Sequence, residues 1–67
     1  MEIKKKFGLA IARARRERGI TQEQLADLAG IARSYCSDVE RGVRNPTITI
    51  VERIAKALDV SMGDLLD

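Results

Sequence analysis

The chain has no histidine and no tryptophan, one cysteine, one proline and two aromatic residues, Phe7 and Tyr35, in 67 residues. Without histidine it lacks the side chain that most often serves as general base near neutral pH and as a metal ligand. No thiols are paired and the carboxylates are scattered, so no metal-ligand cluster is expected. No glycine motif of the phosphate-cradling kind is present either. Together these absences exclude most enzyme chemistry and imply no cofactor and no small-molecule substrate. Cys36 has no partner for an internal disulfide and lies in an apolar helical pattern, where a packed, reduced thiol is expected. Two aromatics offer little for stacking against unpaired bases, which counts against RNA recognition. No apolar run approaches the roughly 20 residues of a membrane span, and the N-terminus lacks a signal-peptide core, so the cytoplasm is the expected location.

What is present is 45% hydrophobic and 33% charged, as in a folded domain and not a disordered tail. The length fits a single domain, residues 1–67. A domain of this size buries only about 60% of its unfolded surface, and dimerisation is one natural remedy for that marginal stability. The net charge is only +2, but it is unevenly spread. Lys4, Lys5, Lys6, Arg13, Arg15, Arg16 and Arg18 crowd the first 18 residues, whereas acids outnumber bases after Asn45. Such asymmetry fits a nucleic-acid-facing side and, equally, a solvated basic helix.

Gly19, Gly30, Gly42 and Gly63 punctuate segments of helical period, and no segment alternates as a strand. The first helix has Ile3, Phe7, Ala10, Ile11 and Ala14 on one face, with Gly8 weakening it by about 1 kcal/mol relative to alanine. Thr21 and Gln24 form a capping box for a second helix that buries Leu25, Leu28 and Ala29. A third helix runs from about Arg33 to Arg41. After the loop at Asn45-Pro46, Thr47 caps a fourth helix with the stripe Ile48, Val51, Ile54, Ala55 and Leu58, and Ser61 with Asp64 opens a short fifth. The expected fold is all-α with five short helices.

Between the second and third helices only a few residues around Gly30 remain, the spacing of a helix-turn-helix. At 100° per residue, Cys36 and Val39 point inward, Ser34, Ser37, Asp38 and Arg41 outward, and Arg33 and Tyr35 flank that outer surface. This chemistry suits base edges in a major groove. Arg33 can donate a bidentate pair to guanine, the serines can donate or accept, and Asp38 can accept from a cytosine amino group. Taken alone, the same surface fits ordinary solvated polarity equally well.

The run TQEQLADLAGIARSYCSDVERGVRNPTITIVERIAKALDVS resembles the phage-repressor-like, or Xre, helix-turn-helix family from about Ile11 to Leu66. The resemblance rests on Gln22, Leu25-Ala26, Gly30, Ser34 to Val39, Glu40-Arg41-Gly42, Pro46 and Ala55 to Ser61, all in register. It implies a compact five-helix domain of the lambda-repressor-like type. It also implies a transcriptional regulator, repressor or activator, that binds a double-stranded, pseudo-palindromic operator as a homodimer. By position, Arg33, Ser34, Tyr35, Ser37 and Asp38 correspond to base-reading residues. Gln22, Arg41, Arg44 and Asn45 correspond to phosphate contacts, which Thr47 and Thr49 can supplement. Arg15 and Glu40 correspond to a structural ion pair between the first and third helices. The start at Arg33-Ser34-Tyr35 and the exit from Glu40 to Asn45 also resemble controller proteins of restriction-modification systems, which regulate their own operons.

Four positions depart from the family pattern. Ala32 stands where the third helix usually has a capping side chain, a loss of about 1 kcal/mol. Cys36 replaces an aliphatic residue. Asp38 puts a negative charge toward DNA, favouring specificity over affinity. Ile50 lies off its helix's buried stripe and, with Ala57, Met62, Leu65 and Leu66, makes either a dimer interface or scattered surface hydrophobes. A reading from another class is a protein-interaction module on the same scaffold without DNA binding. The cations at Lys4 to Lys6 and Arg41 to Arg44 count against it.

Overall fold

Each helix starts and stops on local chemistry. In the computed structural model, which describes residues 2–66, the helices are α1 (Ile3–Glu17), α2 (Gln22–Ala29), α3 (Arg33–Glu40), α4 (Ile48–Leu58) and α5 (Met62–Leu66). Residues 1 and 67 of the expected domain lie outside that range. The Thr21 hydroxyl accepts from the Gln24 amide at 3.1 Å while the Gln24 side chain accepts from the Thr21 amide at 2.8 Å, closing the capping box of α2. Ser61 and Asp64 repeat the arrangement at α5, and Thr47 caps α4 through the Ile50 amide. Ala32, before α3, has no side chain to offer its helix, and Glu2, before α1, makes no side-chain cap bond either.

The stops share one design. After α2, the Gly30 amide donates to the Asp27 carbonyl and the Ile31 amide reaches back to Ala26 at 3.0 Å. The same pair of bonds follows α1, α3 and α4. After α4 the left-handed position falls to Asp59, with φ +57°, whose carboxylate lies 3.0 Å from Arg18. Gly63, expected to punctuate, instead lies inside α5.

α2 packs on α3 and α4, while α1 lies across α3, α4 and α5. Ile11, Leu25, Ile54, Leu58, Leu65, Val39 and Cys36 fill the centre, with Phe7 at its edge. Three expected core positions face solvent: Ile3 is 59% exposed, Leu28 63% and Ile48 76%. All three lie at the flanks of their apolar stripes, and no neighbouring helix covers those flanks. Leu65 departs in the other direction. At 2% exposure it belongs to the protein's own core and has no surface to lend a dimer. The other four candidates do not share one face. Leu66 lines a groove with Ile3, Phe7, Pro46 and Val51, whereas Ala57 lines a different one with Leu28 and Arg53. Ile50, Ala57 and Met62 are half-buried against the core.

Candidate nucleic-acid interface

α3 is held against α1 by backbone-to-backbone contact. A Cβ at Gly8 would come within 2.5 Å of the carbonyl oxygens of both Val39 and Glu40, the last residues of α3. One turn earlier on α1, a Cβ at Gly42 would meet Lys5 Cα at 2.9 Å, and Gly42 also has φ +78°. The glycine that weakens α1 as an isolated helix is therefore what lets α3 approach it.

Beside this contact, the Arg15 guanidinium clasps the Glu40 carboxylate in a fork, with Nε at 2.7 Å from Oε2 and Nη2 at 3.1 Å from Oε1. Its Nη1 donates to the Ile20 carbonyl at 2.9 Å. The two side chains are 13% and 5% exposed. The hydrogen bond to Glu40 raises the Arg15 pKa above its ordinary value, outweighing the opposing effect of burial. Gln22, at the start of α2, donates through Nε2 to Glu40 Oε1 at 3.0 Å. One carboxylate thus joins α1, the α1–α2 loop, α2 and α3. Gln22, matched by resemblance to a phosphate contact, commits one amide hydrogen to this junction and keeps a second. Beneath α3, burial pushes the Cys36 thiol up to about 11, with Glu40 adding to the rise, so it is protonated and inert near neutral pH.

The opposite side of α3 faces out. Arg33 and Ser34 are exposed, and Tyr35, Ser37 and Asp38 are half-buried. Past the helix, Arg41, Arg44 and Asn45 are exposed, as are Thr47 and Thr49. Of these residues, Tyr35, Asp38, Arg41 and Arg44 lie together, and three of the arginines are not free. Arg33 Nη1 lies 3.6 Å from Glu23 Oε2, across the turn from α2. Asp38 faces Arg41 Nη1 at 3.4 Å and Arg44 Nε at 3.6 Å. Arg44 also lies over the Tyr35 ring, 5.1 Å from its centroid. Glu23 and these pairings add to what the sequence suggests. The i, i+3 spacing of Asp38 and Arg41 was an available signal; the others depend on how the turn and loop fold back. Among the described residues no group of acidic or thiol side chains is placed to hold a metal ion, and no helix is long and apolar enough to cross a membrane.

The helix-turn-helix family model matches residues 11–65. The chain belongs to this helix-turn-helix family. It is a family of transcriptional regulators, not of enzymes. The HTH-type transcriptional regulator y4dJ of Sinorhizobium fredii is 42% identical over 66 residues, which cover 98% of this chain and 86% of y4dJ. SinR of Bacillus subtilis is 43% identical over 62 residues, 91% of this chain but only 56% of SinR, so the chain spans little more than half of that regulator. Among solved structures, the restriction-modification controller protein C.AhdI from Aeromonas hydrophila superposes with a TM-score of 0.89 at 41% identity, covering 91% of this chain and 92% of C.AhdI. SinR in complex with DNA superposes at 0.87 with 42% identity, covering 91% and 98%. The five-helix, all-α fold that the Xre resemblance implied is the fold this helix-turn-helix chain adopts.

Proposed function

We propose that this helix-turn-helix protein is a sequence-specific regulator of transcription that binds a pseudo-palindromic operator in double-stranded DNA as a homodimer and controls its own operon. The observation that carries the reading is the mounting of α3. Two glycine contacts and the Arg15–Glu40 fork hold one face rigidly, while Arg33, Ser34, Tyr35, Ser37 and Asp38 are left on the other beside a loop bearing Arg41 and Arg44. A rigid polar helix of this kind is what direct readout in a major groove requires. The likeness to SinR, whose structure was solved in complex with DNA, supports it.

In this reading Arg33, Ser34, Ser37 and Asp38 contact base edges, with Tyr35 at their margin. Gln22, Arg41, Arg44, Asn45, Thr47 and Thr49 grip phosphates. The uncapped start of α3 presents free amides that a phosphate can satisfy. The size of the protein supports the homodimer on such an operator: it is 27 Å in its longest dimension, and half-sites lie about 34–36 Å apart. Two copies are needed to engage both. Ile50, Ala57, Met62 and Leu66 do not share one face, so they remain candidates for that contact singly and not as one patch, and Leu65 is excluded.

Footprinting on the DNA upstream of its gene tests the proposal. The expected result is two-fold symmetric protection that is lost in Arg33→Ala. Absence of salt-sensitive binding to any duplex would overturn it.

A further inference from the structure

The carboxylate of Asp38 stands on the face of α3 that reads bases, yet in the free protein it is shared between two arginines of the loop that follows. Arg44 is held twice, by Asp38 at 3.6 Å and by the Tyr35 ring one turn earlier on the same helix. Both guanidinium groups therefore lie against α3, with part of their donor capacity directed at a carboxylate and not at solvent. We propose that Asp38 is a specificity latch: it occupies Arg41 and Arg44 until a base amino group replaces them as its donor, and only then frees both for the phosphates. This rests on the reading of the chain as a DNA-binding regulator.

The physical chemistry runs through the carboxylate's need for donors. On a mismatched duplex, moving the arginines to the backbone would leave Asp38 without partners in the negative field of the phosphates. On a matched site, an exocyclic amino group such as cytosine N4 donates to Asp38, and the arginines transfer at no loss of pairing. Phosphate grip and base identity thereby become coupled, although Arg41 and Arg44 themselves read no base. The pairs are more than half exposed on the arginine side, so each is individually weak and able to open. Together they supply discrimination on the order of tenfold.

The test uses the full chain and Asp38→Asn. Each is titrated over a salt series against a random-sequence duplex of about three helical turns and against duplexes selected by the wild-type protein from a randomised pool. Asp38→Asn should bind the random duplex about tenfold more tightly. Its preference for the selected duplexes should fall, and its salt slope on random DNA should steepen by about 2, for two more neutralised phosphates. In an Arg41→Gln/Arg44→Gln background the Asp38→Asn gain should vanish. A gain that persists there means that Asp38 acts by simple repulsion of phosphate, and it overturns the latch; so does unchanged binding to random DNA. If the wild-type protein binds no duplex with salt dependence, the DNA-binding reading fails and the latch fails with it. Asp38→Ser removes the same charge with a different shape and should reproduce the effect, and thermal melts establish that each variant is folded.

Discussion

Gly8→Ala isolates the contact that seats α3. In an exposed helix interior this substitution would stabilise by about 1 kcal/mol, because alanine is the better helix former. Here the new methyl would lie 2.5 Å from two carbonyl oxygens and 2.9 Å from the Glu40 carbonyl carbon, all of them backbone that cannot rotate away. The helices must separate, and overpacking of this kind typically costs about 1–3 kcal/mol. Separation also loosens the 2.7 Å Arg15–Glu40 fork and the fit of Gly42 on Lys5. The net expectation is a loss of about 1–2 kcal/mol, a fall in Tm of roughly 7–14 °C for a domain of this size. DNA affinity should fall further than stability alone explains, since α3 is displaced. Gly63 supplies the control. It lies within α5 with only Ser61 Oγ at 3.8 Å from its virtual Cβ, so Gly63→Ala should be neutral or stabilising. Urea and thermal unfolding followed by circular dichroism compare the two. If Gly8→Ala gains stability as Gly63→Ala does, the close approach of α1 to α3 is not as described.

Glu40→Ala strands a mostly buried guanidinium and should cost about 3 kcal/mol or more in urea unfolding, while the paired replacement Arg15→Met/Glu40→Leu should recover most of that loss. Ala32→Ser supplies the missing cap and should raise stability by about 1 kcal/mol, readable as a higher Tm. The Cys36 thiol ionises at about 11 when folded and near 9 when unfolded, so its contribution is intact below pH 9 and is lost as pH rises toward 11. The loss amounts to about 2–3 kcal/mol, and Cys36→Ala should show a correspondingly flatter stability profile across that window. In the wild-type protein, alkylation at pH 8 should be slow when folded and rapid in urea.

What could be read from the chain alone was whatever acts within a few residues. The capping pairs Thr21–Gln24 and Ser61–Asp64, the cap at Thr47, the stops at Gly19, Gly30 and Gly42 and the break at Pro46 all act within one turn of helix. Element number and order followed from them, and the inward turn of Cys36 and Val39 followed from helical period. Tertiary structure decided how wide each buried stripe is. A flank position such as Leu28 or Ile48 is core or surface according to whether another helix crosses it, and Leu65 is core because α1 and α4 close over α5. It also decided the meaning of Gly8, a defect in a helix taken alone and a requirement once the end of α3 lies against it. The charges divide in the same way. Arginines beside a candidate reading helix were visible as cations, and i, i+3 spacing marks Asp38 with Arg41, but Glu23 as the partner of Arg33 and Asp38 as the partner of Arg44 became apparent only when the turn and the loop were folded. Local hydrogen bonds depend on near neighbours along the chain, whereas packing flanks and ion pairs depend on helix crossings that set far-separated residues side by side.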